Sequence, residues 1–344
     1  MERKEFIERP NGTQFVHAST NLCLTDGSVI VAWFSGSAEG SKDVRIYHTR
    51  KERGKWSSIT AIEDHIDQPH WNPVLFSLSD EQVILFYKVG KKINEWQTYY
   101  CISEDGGKTF SASQILVPED NGGRGPVRNK PIRLSNGDIA APASKENGIW
   151  HAFVDLSRDE GRTWRKSSLV SIKDLIYDEN QVKVTESQKR IPVSEQSFYG
   201  RGVIQPTLWE SESGHVHMLL RSSEGHIYRS DSEDFGKTWS YAYRTDLPNN
   251  NSGIDLVKID NGLLLLVFNP VKKNWGERSP LSVAVSEDNG KTWKTIRTLD
   301  TGDGEFSYPA ITHRGNRIFI SYSHKRERIA FWEFEIDNDY QNRI

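Results

Sequence analysis

The sequence has few cysteines and no long apolar run. Only Cys23 and Cys101 occur among 344 residues, and both lie in strand-like segments, too few for a disulfide framework or a cysteine-based zinc site. The longest apolar stretch, Leu263 to Phe268, is far below the roughly 20 residues that cross a bilayer. The first ten residues are too polar for a secretory signal. We therefore expect a cytoplasmic protein with no membrane partner.

The sequence also lacks a large excess of either sign of charge. The 44 Lys and Arg residues nearly balance the 47 Asp and Glu residues, which leaves a formal net charge of −3. A chain without a global basic field is poorly suited to nucleic acid, so no nucleic-acid partner is expected. His215 and His217 have the spacing of two ligands on one strand face, but no third ligand is near them in the sequence. Neither a metal nor another cofactor is expected.

Aromatic residues, in contrast, are abundant. The chain has 11 Trp, 12 Tyr and 14 Phe, spread along its whole length. These residues favour β-structure, and no long segment has the 3.6-residue periodicity of an amphipathic helix. Strand-like runs between Gly, Asn and Asp turns include residues 28–33, 82–87, 215–220 and 317–322. The sequence therefore predicts an all-β protein.

One octapeptide, Ser-x-Asp-x-Gly-x-Thr-(Trp/Phe), occurs four times. The copies start at Ser103, Ser157, Ser232 and Ser286, at intervals of 54, 75 and 54 residues. A degraded fifth copy starts at Thr49, 54 residues before the first. A period in this range leaves room for four short strands per unit, as a β-propeller blade requires. The repeat therefore predicts a propeller.

The long interval carries 21 extra residues, which we assign to an insertion around residues 165–196. Without them the chain holds six units of about 54 residues. The prediction is a single domain, residues 1–344, folded as a six-bladed propeller of four-stranded antiparallel blades. The last strand is expected to pair with N-terminal residues.

The octapeptide has a mechanical explanation. Its Ser and Asp hydrogen-bond the backbone of a tight turn, its Gly accepts positive φ, and its closing aromatic residue fills the wedge between neighbouring sheets. The four copies resemble the Asp-box, or BNR, repeats of the sialidase (neuraminidase) superfamily. In that family the box lies on the hairpin between the two outer strands of a blade.

Residues at the start of each innermost strand of a propeller converge on one face. Similar phrases precede the boxes by some 27 to 33 residues, and their polar residues are His17, His70, Asn72, Arg128, Lys130, Gln205, Asn251 and Tyr308. The ends of the second strands add Glu39, Lys88 and Arg221. Together these side chains predict a cationic, hydrogen-bonding pocket suited to an acidic sugar. The alternative is a centre whose polar residues bind only trapped water.

The resemblance implies roles for some of these residues. In the family, three arginines bind the substrate carboxylate, a Tyr activated by a Glu is the nucleophile, and an Asp is the acid/base. Here Tyr308 resembles the nucleophile, Arg278 the last arginine and Arg221 the middle one. The first arginine is replaced by His17 and the activating Glu by Gln205. Glu39 is the carboxylate nearest to the acid/base position, with Asp43 as an alternative.

The resemblance implies a sialidase-like glycoside hydrolase, an exo-glycosidase that acts at an acidic sugar such as a sialic or uronic acid. Arg221, Arg278 and Lys130 would hold the carboxylate, while Tyr308 attacks and Glu39 protonates the leaving oxygen. A second reading is a uronate lyase in which His17 or His70 abstracts a proton and Tyr308 donates one. A third is a non-catalytic carbohydrate-binding propeller in which Trp71 and Trp150 stack on sugars. The expected partner is an acidic oligosaccharide, and the oligomeric state stays open.

Overall fold

Strands account for most of the described chain. A computed structural model describes residues 2–64, 66–175 and 200–336, which hold 25 β-strands and one short 3-10 helix, Ile93–Glu95. No α-helix occurs within those ranges, and hence no helix there is long and apolar enough to span a membrane. The prediction of an all-β protein is confirmed.

The strands are numbered in chain order. The first twelve are β1 (Glu2–Ile7), β2 (Phe15–Cys23), β3 (Val29–Gly36), β4 (Arg45–Glu52), β5 (Lys55–Trp56), β6 (Thr60–Ala61), β7 (His70–Ser77), β8 (Val83–Val89), β9 (Gln97–Ser103), β10 (Gln114–Ile115), β11 (Ile132–Arg133) and β12 (Ile139–Asn147). The others are β13 (Ile149–Ser157), β14 (Arg165–Lys166), β15 (Arg201–Glu212), β16 (His215–Ser222), β17 (His226–Ser232), β18 (Tyr243–Pro248), β19 (Asp255–Lys258), β20 (Leu264–Phe268), β21 (Leu281–Ser286), β22 (Lys294–Asp300), β23 (Phe306–Arg314), β24 (Arg317–His324) and β25 (Arg328–Glu335).

Consecutive strands pair antiparallel into sheets. β2 to β5 form one sheet, with β6 also paired to β4, and β7 to β10 form the next. β11 to β14 and β15 to β18 are antiparallel groups that a short parallel pairing between β13 and β15 joins. β19 to β22 form another sheet, and β23 to β25 form the last together with β1. Ile7 of β1 lies opposite Ile329 of β25, so the expected pairing of the last strand with N-terminal residues is confirmed.

Apolar side chains are buried where neighbouring sheets face each other. One cluster joins Phe34 of β3 to Trp71 of β7 and Tyr87 of β8, all nearly inaccessible to solvent. Another joins Leu265 of β20 to Ile320 of β24. Removing such side chains from water stabilises the fold by about 25 cal/mol per Å² of apolar surface. This packing holds β2 beside β7 and β23, and β19 beside β15 and β23.

Each octapeptide closes the turn between the third and fourth strands of its sheet. In the first copy the Asp105 carboxylate accepts hydrogen bonds from the Lys108 and Thr109 amides and from the Thr109 hydroxyl, and Ser103 Oγ accepts one from the Gly107 amide. The closing aromatic residue of the second copy, Trp164, packs edge-on against Phe86 of the preceding sheet. The repeat therefore stabilises a turn by hydrogen bonds and fills the space between two sheets.

The first residues of the predicted insertion still belong to a sheet. Arg165 and Lys166 form β14, opposite Leu156 and Asp155, and therefore belong to a sheet. Val170 still bridges to Ala152 of β13. The part of the insertion from residue 176 to 196 lies outside the described residues.

The octapeptide carboxylates predict an acid-sensitive fold. Hydrogen bonds, above all from the Thr163 hydroxyl, lower the pKa of Asp159 from 3.8 to about 2, and similar bonds from Thr109 and Thr292 outweigh burial and lower the pKa of Asp105 and Asp288 to about 2. Because these pKa values are depressed in the folded state, the stability they contribute is present above pH ~4 and is lost as the pH falls towards 2.

We expect the urea concentration at the midpoint of unfolding to decrease as the pH is lowered from 4 to 2. The decrease should be smaller in the triple variant Asp105→Asn, Asp159→Asn, Asp288→Asn. Glu233→Gln, a change of a neighbouring acidic residue within the third octapeptide, is the control. An equal decrease of the urea midpoint with pH in the wild type and in the triple variant would contradict this prediction.

Candidate active site

Four strands, β2, β7, β15 and β23, each begin their group of strands in chain order and interrupt the hydrogen-bond ladder with a register shift. The residues with positive φ at these interruptions are Ala18 in β2, Asn72 in β7, Gln205 in β15 and Tyr308 in β23, with φ of 51°, 44°, 52° and 54°. A non-glycine residue rarely takes this conformation, and a bulge of this kind bends the strand and redirects a side chain. Prolines follow Asn72, Gln205 and Tyr308 and donate no hydrogen bond to the ladder. Local backbone geometry therefore turns polar side chains towards one place.

That place is a cavity that opens to solvent. All four predicted catalytic residues, His17, Glu39, Gln205 and Tyr308, line it. Of the predicted substrate-binding residues, Asn72, Arg221 and Arg278 line it as well. Residues from the first, second, fourth and last sheets thus meet although they are far apart in the sequence.

Arg221 connects the polar groups of the cavity. Its Nη1 donates to Tyr308 Oη at 2.9 Å and to Gln205 Oε1 at 3.0 Å, and its Nε donates to Asn251 Oδ1 at 2.7 Å. The guanidinium is buried, so these charge-assisted bonds are stronger than they would be in water. Asn251 lies behind Arg221 and positions it, whereas the sequence predicted direct substrate contact.

A second group of charges, which includes Arg278, also lies beside Tyr308. Glu305 accepts a hydrogen bond from Arg278 Nη1 at 2.7 Å and one from Arg326 Nε at 2.9 Å. Burial favours the neutral acid, but the two guanidinium groups outweigh it and hold the pKa of Glu305 well below its ordinary value. Arg326 also donates to Glu39 at 2.5 Å. Glu39, the predicted acid, is therefore held as the partner of a buried cation.

His17 is neutral and fully engaged. Burial, followed by the charge of Arg326, lowers its pKa well below the ordinary value. Arg326 can only donate, so the contact at 3.3 Å makes His17 Nε2 an acceptor and puts the proton on Nδ1, which faces Ser323 Oγ at 2.9 Å. The ring lies 4.4 Å from the Tyr308 ring. His17 thus positions Arg326 and Tyr308, and neither ring nitrogen is available as a base.

The cavity lining also contains aromatic rings and one more carboxyl group. These residues are Trp71, Trp96, Trp150, Trp275 and Glu146. Burial raises the pKa of Glu146, against the opposing charges of Arg221 and Lys88. The Gln205 side-chain amide donates to Glu146 at 3.5 Å. The cavity therefore combines guanidinium groups, a phenol, a buried carboxyl group and flat apolar surfaces.

Arg128 and Lys130 lie beneath the cavity, not in its lining. Arg128 is 1 % exposed, donates to the Tyr308 and Pro309 carbonyl oxygens, and has its guanidinium 5.4 Å from the centre of the Tyr308 ring. Lys130 donates to Asp255 at 2.9 Å and to the Leu256 carbonyl at 2.8 Å. Both were predicted to bind substrate, and instead their side chains connect this segment to β23 and β19.

His70 and Lys88 are also engaged elsewhere. The ring nitrogens of His70 face Asp64 at 2.6 Å and the Gln68 carbonyl at 2.8 Å. Lys88 donates to Thr98 and to the Arg124 carbonyl, and its burial lowers its pKa to about 7. Both side chains are buried behind the cavity wall. They were predicted to bind substrate, and the structure does not bring them into contact with the cavity.

Sequence reasoning missed Trp96, Glu146, Trp275 and Arg326. Glu146 follows the apolar run of β12 and precedes a turn, which is the same signal that selected Glu39, Lys88 and Arg221. Arg326 lies in the turn between β24 and β25, within a short run of charged residues. Its approach to His17 depends on pairing between sheets, which no local pattern reveals.

The chain resembles known proteins in sequence and in fold. Residues 27–320 match the family model for the BNR repeat-like domain. Among solved structures, the Hadza microbial sialidase Hz136 superposes with a TM-score of 0.75 at 17% identity, over 95% of this chain and 66% of that one. A protein of unknown function from Dyadobacter fermentans superposes with a TM-score of 0.75 at 15% identity, over 98% of this chain and 99% of that one.

Trypanosoma rangeli sialidase, in complex with the inhibitor DANA, gives a TM-score of 0.70 at 12% identity, over 99% of this chain and 60% of that one. The chain thus spans less than two thirds of both sialidases named here. Likeness at such low identity establishes a shared fold and leaves activity open. The family match, in contrast, covers most of the sequence together with its four octapeptides. The chain belongs to the BNR repeat-like domain family.

Proposed function

We propose that the protein is a glycoside hydrolase that acts at an acidic sugar, with Tyr308 as the reacting side chain. The observation that carries this proposal is the 2.9 Å hydrogen bond from Arg221 to Tyr308 Oη inside the arginine-lined cavity. A negative charge that develops on this oxygen is stabilised by a donor already in place, without reorganisation. A protein that only binds sugars has no need of this arrangement.

Carboxylate recognition falls to Arg221 and Arg278. Among the residues that the structure describes, no hydrogen bond uses Nη2 of Arg221, nor Nε or Nη2 of Arg278. Arg326, in contrast, uses Nε, Nη1 and Nη2 on Glu305, Glu39 and His17. Two guanidinium groups with remaining donors, on one cavity wall, suit the planar carboxylate of a sialic or uronic acid.

The remaining surfaces suit the sugar ring. Trp71, Trp150 and Trp275 offer flat apolar faces on which the C–H groups of a pyranose stack. In the proposed reaction Tyr308, with its phenolic proton released to solvent and the charge on Oη stabilised by Arg221, attacks the anomeric carbon. The bond from that carbon to the bridging oxygen breaks, and an acid protonates the departing oxygen. Water then adds to the same carbon, gives its proton to the conjugate base of that acid, and releases Tyr308 as the phenolate. His17 has no free nitrogen, which argues against the lyase alternative in which it abstracts the proton.

The proposal also covers how the groups of strands are arranged around the cavity. Six groups of four strands, β2 to β5 through β23 to β1, would be the six blades of a propeller, with the cavity on the axis at the ends of the innermost strands. The neighbouring positions of β7, β2 and β23, and of β15, β19 and β23, support this arrangement. Small-angle scattering matched to a disc of six blades tests it directly.

Product mass tests the reaction. We expect sialosides or glucuronides to gain one water on cleavage, while analogues with the carboxylate reduced to a primary alcohol react at least 100-fold more slowly, because the contacts to Arg221 and Arg278 are lost. An unsaturated product of unchanged total mass would instead indicate elimination. Binding of the same sugars without any product would leave only the carbohydrate-binding alternative.

A further inference from the structure

The turn between β24 and β25 has an unusual backbone. Lys325 and Arg326 have φ of 55° and 57°, and the Glu327 amide donates to the His324 carbonyl at 3.1 Å. These are the φ signs and the hydrogen bond of a type I′ hairpin turn, whose two central positions are usually Asn-Gly or a similar pair that tolerates positive φ. Lys and Arg rarely take this conformation, so the turn carries backbone strain. Strain of this kind persists where the surrounding structure holds it, and it is concentrated at functional sites.

Two other segments of the chain hold the strained turn in place. The Lys325 amide donates to the Glu305 carbonyl, just before β23, at 2.7 Å, and the Val16 amide of β2 donates to the Arg326 carbonyl at 2.9 Å. The Lys325 side chain is exposed, whereas that of Arg326 is 26% exposed and lines the cavity. Among the side chains of this turn, the strained backbone therefore places Arg326 alone in the cavity lining.

The Arg326 guanidinium lies between two carboxylates. Its Nη1 donates to Glu39 at 2.5 Å, and its Nε donates to Glu305 at 2.9 Å. Glu305 also pairs with Arg278, while the ion pair of Glu39 is with Arg326. Both carboxylates are mostly withdrawn from solvent, where water screens charge poorly. Without the cation between them, they would repel the carboxylate of a sugar that enters the cavity.

We propose that Arg326 is a positioning residue that neutralises Glu39 and Glu305, and that the strained turn is retained because it brings this charge into the cavity. The inference rests on the acidic-sugar part of the proposed function. The sugar carboxylate is bound by the two guanidinium groups with remaining donors, whereas Arg326 acts through its two partners. The neutral His17 ring accepts a hydrogen bond from Arg326 Nη2 at 3.3 Å and fixes the guanidinium without adding charge.

Binding of acidic and neutral sugars tests this role. The probes are the methyl glycosides of sialic acid and of glucuronic acid, each beside its analogue with the carboxylate reduced to a primary alcohol. Because Asn tolerates positive φ, Arg326→Asn removes the charge and keeps the turn. We expect this variant to raise the calorimetric dissociation constant of the acid roughly 10- to 100-fold, since two uncompensated carboxylates remain near it. The dissociation constant of the alcohol should change less than about threefold, because it carries no charge.

Removing a carboxylate should have the opposite effect. Adding Glu39→Gln to Arg326→Asn should recover at least about threefold of the lost affinity for the acid, because one repelling charge is gone. Glu39→Gln alone leaves the cation in excess and should tighten binding of the acid by a similar factor. This single variant keeps the turn as it is, so weaker binding of the acid would contradict the proposed role even if Arg326→Asn did not fold.

Lys325→Asn is the matched control, because it relieves strain at the neighbouring position and leaves the cavity lining unchanged. It should keep the wild-type dissociation constants and should not lower the thermal midpoint. Equal weakening of acid and alcohol in Arg326→Asn would overturn the role of Arg326, and so would a failure of Glu39→Gln to recover affinity.

The wild type separates this inference from the proposed function. A protein that prefers the acid, shows the effects of Arg326→Asn and Glu39→Gln, and yet releases no product from sialosides or glucuronides would overturn only the hydrolase activity. A wild type that binds the acid no better than the alcohol would overturn both.

Discussion

Tyr308→Phe should lower turnover of an acidic glycoside by roughly 10²–10⁴-fold and change its dissociation constant by less than tenfold. The ring and its contacts with His17 and the Arg278 guanidinium, 5.2 Å from the ring centre, remain in the variant. Only Oη is lost, and Arg221 keeps its bonds to Gln205 and Asn251. Carboxylate binding therefore survives while the attacking atom is gone. Product mass and calorimetric binding on the same sample measure the two effects.

Tyr241→Phe is the matched control, since Tyr241 is 62% exposed and lies outside the cavity lining. It should behave as the wild type. Turnover retained in Tyr308→Phe would remove Tyr308 from the chemistry. A parallel loss of binding would show that the hydroxyl mainly holds Arg221 in place.

Asp255→Ala should have the largest effect on stability. The carboxylate accepts hydrogen bonds from Lys130 Nζ, Thr207 Oγ1 and the Leu256 and Ile311 amides, and so links β15, β19 and β23 to the segment beneath the cavity. Removing it leaves the Lys130 ammonium, on a side chain that is only 17% exposed, without its counter-charge. Losing one partner of such a pair costs about 3–5 kcal/mol. Urea unfolding measures the difference.

The double variant Lys130→Met, Asp255→Asn separates charge from packing. It should unfold at a higher urea concentration than Asp255→Ala, because no buried charge stays unpaired. Asp260→Ala, in the exposed turn after β19, is the control and should change stability by less than about 0.5 kcal/mol. If Asp255→Ala matched that control, the segment beneath the cavity would contribute little to stability.

The repeat and the bulges show how much of the fold was predictable from the sequence. The octapeptides act within a few residues, so their turns and their position between outer strands follow from local chemistry alone. A polar residue followed by proline marks Asn72, Gln205 and Tyr308, and all three line the cavity. The strand-forming aromatic content likewise predicts the all-β class without any knowledge of pairing.

The roles of the charges were not predictable in the same way. Arg128 and Lys130 carry the same local signal as Gln205, yet the segment that holds them forms only a two-residue strand, β11, and lies beneath the cavity. His70 faces Asp64, which the loop before β7 brings next to the imidazole ring. Whether a cation faces solvent, substrate or a carboxylate depends on what packs around it.

The sequence by itself determined the repeat, the strand class, the family and the polar residues before proline that line the cavity, because each depends on residues close together in the chain. Only the tertiary structure decided that Arg326 reaches His17 and Glu39 from the opposite end of the chain. Burial and pairing between sheets fix those contacts, and both arise only when distant segments pack together.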